Sequence, residues 1–480
     1  MMMRARVPFL FCLLLLAVVS DEVLGTIDPE LKRCKHQCKA LQQITEHQRE
    51  ECYDMCEKYQ RGKQQKEEET SSFFPYRGRE EGEEWEQEGE NNPYVFEDQH
   101  FITAIKTQHG RVRVLPKFTE RSKLLKGIEN YRLAFLEANP QTFVVPNHWN
   151  ADAVLFVAQG RGTLNLVRRG KRNSFNIRPG DVIRVHAGTT VYLINRDNNE
   201  KLFIAKLLRP VFTPGQFEQF FGPGGRENPQ SFYSAFSSQI LEAALNTRRD
   251  RLQMLFGQQR EGVIIRASEE QIRVMSQHEE GGIWPFGGES KGSVNIYRQR
   301  PLHSNQYGQF YEVDDSHYRQ LEDLDISFSF SNITEGGMLG PIYSSKATKI
   351  AVVVDGEGYF EMACPQGSER ERETRIGSSY QKVRTKLRRG MVLVIPAGHL
   401  FVTLASNTQN LEMVCFNVNA RDNEIVPLAG RNNVMSQLER EALELGFGLP
   451  AREVEQIFRS QQEEFFFQGP GGRLSGRADA

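Results

Sequence analysis

The 480-residue chain holds seven cysteines and ten histidines, its best candidates for nucleophilic, redox or metal chemistry. Four of the cysteines form one pattern, Cys34-x3-Cys38-x13-Cys52-x3-Cys56. A four-residue step puts both members of each pair on one helix face, so two antiparallel helices can be stapled twice. Four cysteines allow three pairings, and the antiparallel arrangement favours Cys34–Cys56 with Cys38–Cys52. A metal knuckle is the competing use. The three-residue gaps and an oxidising compartment make it the poorer one.

Cys364 and Cys415 lie in apolar, strand-like runs, and His399 directly follows Gly398. Buried free thiols and a hydrogen-bonded histidine are the plain reading. A disulfide, or a soft-metal site completed by His399, is the sharper one. Nucleophilic catalysis has no foothold: there is no G-x-S-x-G elbow and no His-Glu-x-x-His helix. The Gly-rich stretch Phe221-Gly-Pro-Gly-Gly-Arg226 lacks the strand-to-helix context of a phosphate loop, and Pro223 removes an N–H that such a loop would use. Asn332-Ile-Thr334 is the one N-glycosylation sequon, set in a polar turn before Gly336.

The elements that must position these residues begin with a leader. Arg4 and Arg6 precede the apolar run Val7 to Val19, a secretory signal peptide cleaved after Ser20 or Gly25. No later stretch of 18 or more apolar residues exists, so no membrane span is expected. Lys plus Arg (60) nearly balance Asp plus Glu (62), and no strong field points to nucleic acid. Residues 26–60 form the helical hairpin, and 61–92 an acidic Gln/Glu/Gly-rich linker too polar to offset its ordering entropy. Such a linker invites proteolysis, which would release the hairpin.

From residue 93 the chain repeats itself. Gly180-Asp-Val-Ile-Arg-Val-His-Ala-Gly188 recurs as Gly390-Met-Val-Leu-Val-Ile-Pro-Ala-Gly398. Each copy reads as a turn glycine, a short apolar strand and a second turn. Pro146–Gly160 matches Pro341–Gly356, Gly110-Arg-Val-Arg-Val-Leu matches Gly308-Gln-Phe-Tyr-Glu-Val, and the segment from Leu202 matches that from Leu411. Helical spacing over Ser238–Phe256, and over Asn433–Leu445 and Ala451–Phe467, ends each copy. The expected domains are 93–275 and 294–468, with a Gly-rich linker at 276–293, a charged surface insertion at 367–379 and a flexible tail at 469–480.

These residues resemble a cupin pair. The wording of "GTTVYLINRDNNEKL", "RPGDV", "LEAALNTRRDRLQMLFGQQ" and "VIPAGH" resembles the vicilin (7S globulin) seed storage proteins in particular. The resemblance covers roughly residues 93 to 467. It implies a mainly β fold: two tandem cupin (jelly-roll-like) β-barrels, each followed by an α-helical extension. It further implies a nutrient reservoir in the seed protein storage vacuole, docked head-to-tail into a homotrimer through the helical extensions and later cut by vacuolar proteases. Such proteins are frequent food allergens. The segment 26–60 is similar to the α-hairpinin peptides, some of which inhibit proteases or microbes.

Catalytic cupins bind a transition metal through G-x5-H-x-H-x3/4-E-x6-G and a third His shortly after P-x-G. The matching positions here are Asn147, Trp149, Ala153 and Val191 in the first repeat, and Ile342, Ser344, Lys349 and Phe401 in the second. None offers an imidazole or carboxylate, so no metal, cofactor or catalysis is expected. His148 lies between the two vacant histidine positions, and a structural role is the plain reading for it. The alternative function is a binding protein whose barrel interior holds a small ligand or a noncanonical metal, with Trp149, Tyr192, Tyr343 and Lys349 as lining candidates.

Overall fold

The computed structural model describes residues 92–224, 229–276, 292–365 and 380–470, together with Tyr53. The leader, the four-cysteine hairpin, the acidic linker up to residue 91, most of the 276–293 junction, the 367–379 insertion and the last ten residues lie outside the described residues.

Each repeat folds into two facing antiparallel sheets, the jelly-roll arrangement. In the first barrel the larger sheet has seven strands, in the order Val294–Asn295, Asp181–Val185, Ala151–Gln159, Leu202–Pro210, Arg132–Ala138, Gly110–Val114 and Ile102–Thr107. In the second barrel the order is Val95–Phe96, Val392–Ile395, Thr348–Asp355, Leu411–Val418, Ile326–Ile333, Gly308–Val313 and His303–Asn305. The smaller sheets correspond in the same way: Thr142–Trp149 and Thr190–Asn195 at the centre of one, Gly337–Ser344 and Leu400–Ala405 at the centre of the other.

Local sequence explains the strands. In Glu357–Pro365 the even positions Gly358, Phe360, Met362 and Cys364 are buried and the odd ones face outward, as period-two alternation requires. The larger sheets differ. Val154, Leu155, Phe156 and Val157 are all buried, as are Ile350 to Val353. These strands have no solvent face, because the two larger sheets pack against one another. Phe156 of the first barrel stacks on Phe328 of the second, with centroids 4.9 Å apart, and one apolar cluster runs across both.

The first strands are exchanged. Val95 and Phe96, placed by sequence in the first domain, pair with Leu393 and Val392 of the second barrel. Val294 and Asn295 pair with Val182 and Asp181 of the first. The repeated glycines act as expected: Gly180 and Gly390 each have φ of +88°, a conformation that a side chain would strain. At Gly160 and Gly356 a Cβ would also collide with a backbone carbonyl, of Lys201 or Asn410.

The helical segments require three corrections. The single helix expected over Ser238–Phe256 is two, Ser238–Leu245 and Arg249–Leu255, broken where Asn246 caps the first in the left-handed region. The second copy has Arg440–Phe447 and Ala451–Phe458, capped between them by Gly448. Phe466 and Phe467, expected to be helical, lie instead in the strand Phe466–Gln468, because sheet pairing with Met338 and Leu339 overrides their helical spacing. The helix Glu269–Ser276, hidden from the spacing argument, follows the corresponding strand of the first copy. No helix among the described residues is long and apolar enough to cross a membrane.

Candidate functional site

The interior of each barrel is where a cupin would hold a ligand. Strand register brings the vacated ligand positions together: Asn147 lies opposite Val191, and Ile342 opposite Phe401. The first-barrel interior is closed by packing. Asn147 donates to the Val145 carbonyl at 2.7 Å and accepts from Gln219 at 2.8 Å, while Trp149 is buried. A cavity of about 30 Å³ remains, bordered by Trp149, Tyr192 and Lys206.

Lys206 was missed by motif counting. It interrupts the apolar run Leu202–Leu208 at an inward position, and that interruption was the available signal. Its Nζ sits 5.0 Å from the Trp149 ring centroid, a cation–π contact, with no ion pair or side-chain hydrogen bond among the described residues. Burial lowers its pKa from 10.5 to about 8.

The second barrel also holds a lysine, from a different position. Lys349 occupies the place of the family's carboxylate ligand and donates to Asn417 Oδ1 at 3.1 Å. Asn417 donates in turn to Ser327 and Ser329, and Ser327 donates to Glu312 at 2.8 Å. An ammonium and its hydrogen-bond chain thus fill the space in which a ligand set would converge. By register Lys349 matches Ala153, and the counterpart of Lys206 is Cys415.

The other expected residues are scattered. Cys364 and Cys415 lie on opposite sheets of the second barrel and are not joined by a disulfide. Burial pushes the Cys415 thiol pKa up, against the opposing effects of Lys349 and a hydrogen bond to Ser329. His399 is half-buried, with Nδ1 3.2 Å from the Ala397 carbonyl and its ring 6.0 Å from that of Tyr94. His148 stacks on Phe220 at 5.0 Å, and burial lowers its pKa. Among the described residues no three His, Cys, Asp or Glu side chains converge as metal ligands would. Tyr343 is half-buried on its strand opposite Val426. Asn332 lies within a strand rather than a turn, its amide donating to Glu412 at 3.3 Å.

Comparison with known proteins agrees with this geometry. The chain matches the Cupin family over residues 104–208 and 294–455. It is 53% identical to the vicilin Jug r 6.0101 of Juglans regia, over 98% of each chain. The crystal structure of vicilin from Corylus avellana is 56% identical, with a TM-score of 0.74, covering 79% of this chain and 100% of that one. The vicilin of Solanum melongena, whose crystal structure revealed different anionic ligands in structurally similar pockets, is 40% identical with a TM-score of 0.75, over 79% of this chain and 98% of that one. With this sequence, two tandem jelly-roll barrels and their repeated helical pairs, the chain belongs to the vicilin, or 7S globulin, family of seed storage proteins.

Proposed function

We propose that this chain is laid down as a nitrogen reserve in the seed protein storage vacuole, as a homotrimer that is later proteolysed, and that it performs no catalysis. The observation that carries the reading is the identity of the eight positions where a catalytic cupin holds metal: none is a histidine or a carboxylate, and Lys349 places an ammonium there. The leader at 1–25 supports the secretory route.

Assembly through the helical pairs has its own support. Ile240, Met254 and Leu255 are exposed on the first pair, and Leu445, Phe447 and Ile457 on the second. Apolar stripes of this kind suit head-to-tail closure of a ring. The spacing of Cys34, Cys38, Cys52 and Cys56 supports a stapled hairpin, released by cleavage in the acidic linker and acting on proteases or microbes. Asn332 is the proposed glycan site; attachment would displace its contact with Glu412. A mass shift on enzymatic deglycosylation tests it.

The decisive experiment follows the protein through seed maturation and germination by immunoblot and sedimentation. The reserve reading expects accumulation at three-chain mass, then fragmentation and loss. An intact chain persisting through seedling growth would overturn it. Transition-metal analysis of the native protein should give a value near zero per chain.

One observation favours a second reading. Among the described residues each barrel has a single buried lysine, drawn from a non-equivalent strand, and the relative from Solanum melongena holds anions in its pockets. Beside Lys206 the cavity of about 30 Å³ suits one water-sized species, such as a halide, without rearrangement.

A further inference from the structure

A cleft of about 450 Å³ opens between the barrels, outside both interiors. Its first-barrel side carries Arg111, Arg113 and Lys201, and its second-barrel side Arg388 and Arg389. Three carboxylates share the cleft, Glu97, Asp98 and Glu137, and the last two are ion-paired. Glu137 binds Arg111 at 3.0 Å and Arg113 at 2.9 Å, Asp98 pairs with Arg113, and Glu97 accepts from the Gln99 amide at 2.7 Å.

The remaining cations make no ion pair among the described residues, and five cations against three carboxylates leave the cleft net positive. Lys201 and Arg388 make no ion pair or side-chain hydrogen bond among the described residues, and Arg389 donates only to the neutral Gln159 amide oxygen. Arg113, with its side chain 9% exposed, keeps a buried Nε without a hydrogen-bond acceptor. Phe203 and Met391 contribute apolar surface, which lowers the local dielectric and strengthens the attraction between these cations and an anion placed there. Unpaired cations from two domains therefore border one cavity of ligand size.

We propose that this cleft binds a small, multiply charged oxyanion that bridges Lys201 of the first barrel to Arg388 and Arg389 of the second. Guanidinium forks hold phosphate or carboxylate oxygens in pairs, and the ammonium supplies a point charge at the other end. The volume far exceeds one phosphate group, so an anion charged at two ends fits better than a monovalent one. Diphosphates and polycarboxylates share this chemistry.

The test is titration calorimetry on the assembled full-length protein at low ionic strength, with pyrophosphate, citrate and acetate in separate runs. The expected result is one pyrophosphate or citrate per chain, bound at least tenfold more tightly than acetate; the tighter of the two identifies the class. Affinity should fall at least tenfold in Arg388→Gln/Arg389→Gln and in the exposed single variant Lys201→Gln, which keeps the Arg389–Gln159 contact. Lys206→Met and Lys349→Met, inside the barrels, should leave it unchanged. Undetectable binding of both polyanions overturns the proposal. So does binding that survives the cleft substitutions or vanishes in the barrel variants.

Discussion

Arg184 of the first barrel grips Asp323 of the second through two contacts, Nη1 to Oδ1 at 2.6 Å and Nη2 to Oδ2 at 3.2 Å. The guanidinium side chain is 1% exposed, and it also binds Asp152 at 2.9 Å and the Gln320 carbonyl at 2.8 Å. The repeat places Val394 at the corresponding position of the second barrel. One charged cluster therefore anchors an interface whose centre, around Phe156 and Phe328, is apolar.

Arg184→Met should cost about 3 kcal/mol, because nearly buried Asp152 keeps only the longer Arg209 pair at 3.8 Å while Asp323 can rehydrate. Urea unfolding at neutral pH measures this. The hydrogen bond from Arg184 holds the Asp323 carboxyl below its usual range. Its stabilising share is complete above the unfolded-state pKa near ~4 and is lost as pH falls through the lower folded value. The gap between wild type and variant should accordingly narrow in acid.

Lys206→Met should stabilise the protein at neutral pH, by roughly 1–3 kcal/mol after allowing for the lost contact with Trp149. The folded-state pKa of about 8 lies below the unfolded value of 10.5, so the unfolded chain binds more protons between them. Wild-type stability rises with pH across that window, and the advantage of the variant should shrink by pH ~10. Thermal melts at neutral and alkaline pH check both statements.

His303 stacks on Phe465 at 4.1 Å, and burial lowers its pKa despite the opposing charge of Glu464. As pH drops below ~6.5 the unfolded chain takes up this proton first, so the contribution present above that pH is lost. His303→Phe should therefore gain on wild type between pH 7.5 and 5.5 (approximate limits set around the free histidine value). Parallel urea curves at those two pH values decide it; a constant difference would refute the burial effect.

Leu445 is 87% exposed and Ile457 63% exposed on the second helical pair. Leu445→Lys/Ile457→Lys should shift sedimentation from three-chain to single-chain mass while leaving the circular dichroism of the barrels unchanged. If assembly survives both charges, the trimer does not close through these helices. Interface hot spots of this apolar kind usually cost ~2 kcal/mol or more when charged or truncated.

The sequence by itself determined the duplication, the strands and the loss of the metal ligands. Period-two alternation in Glu357–Pro365 and the paired turns at Gly180 and Gly390 are local signals, set by side-chain facing and backbone sterics. Asn147, Ala153 and Lys349 could likewise be read by counting. Only tertiary structure decided what each strand touches. The continuous apolar runs Val154–Val157 and Ile350–Val353 announced burial, but not that the partner is the other barrel, nor that Val95 and Val294 cross between them. Phe466 and Phe467 kept a helical spacing until sheet pairing with Leu339 and Met338 claimed them. Lys206 and Lys349 lie 143 positions apart in non-equivalent strands, yet each ends inside its own barrel. Spacing encodes which way a side chain faces; which surface it then meets depends on contacts between distant segments, and those exist only once the barrels close and pack.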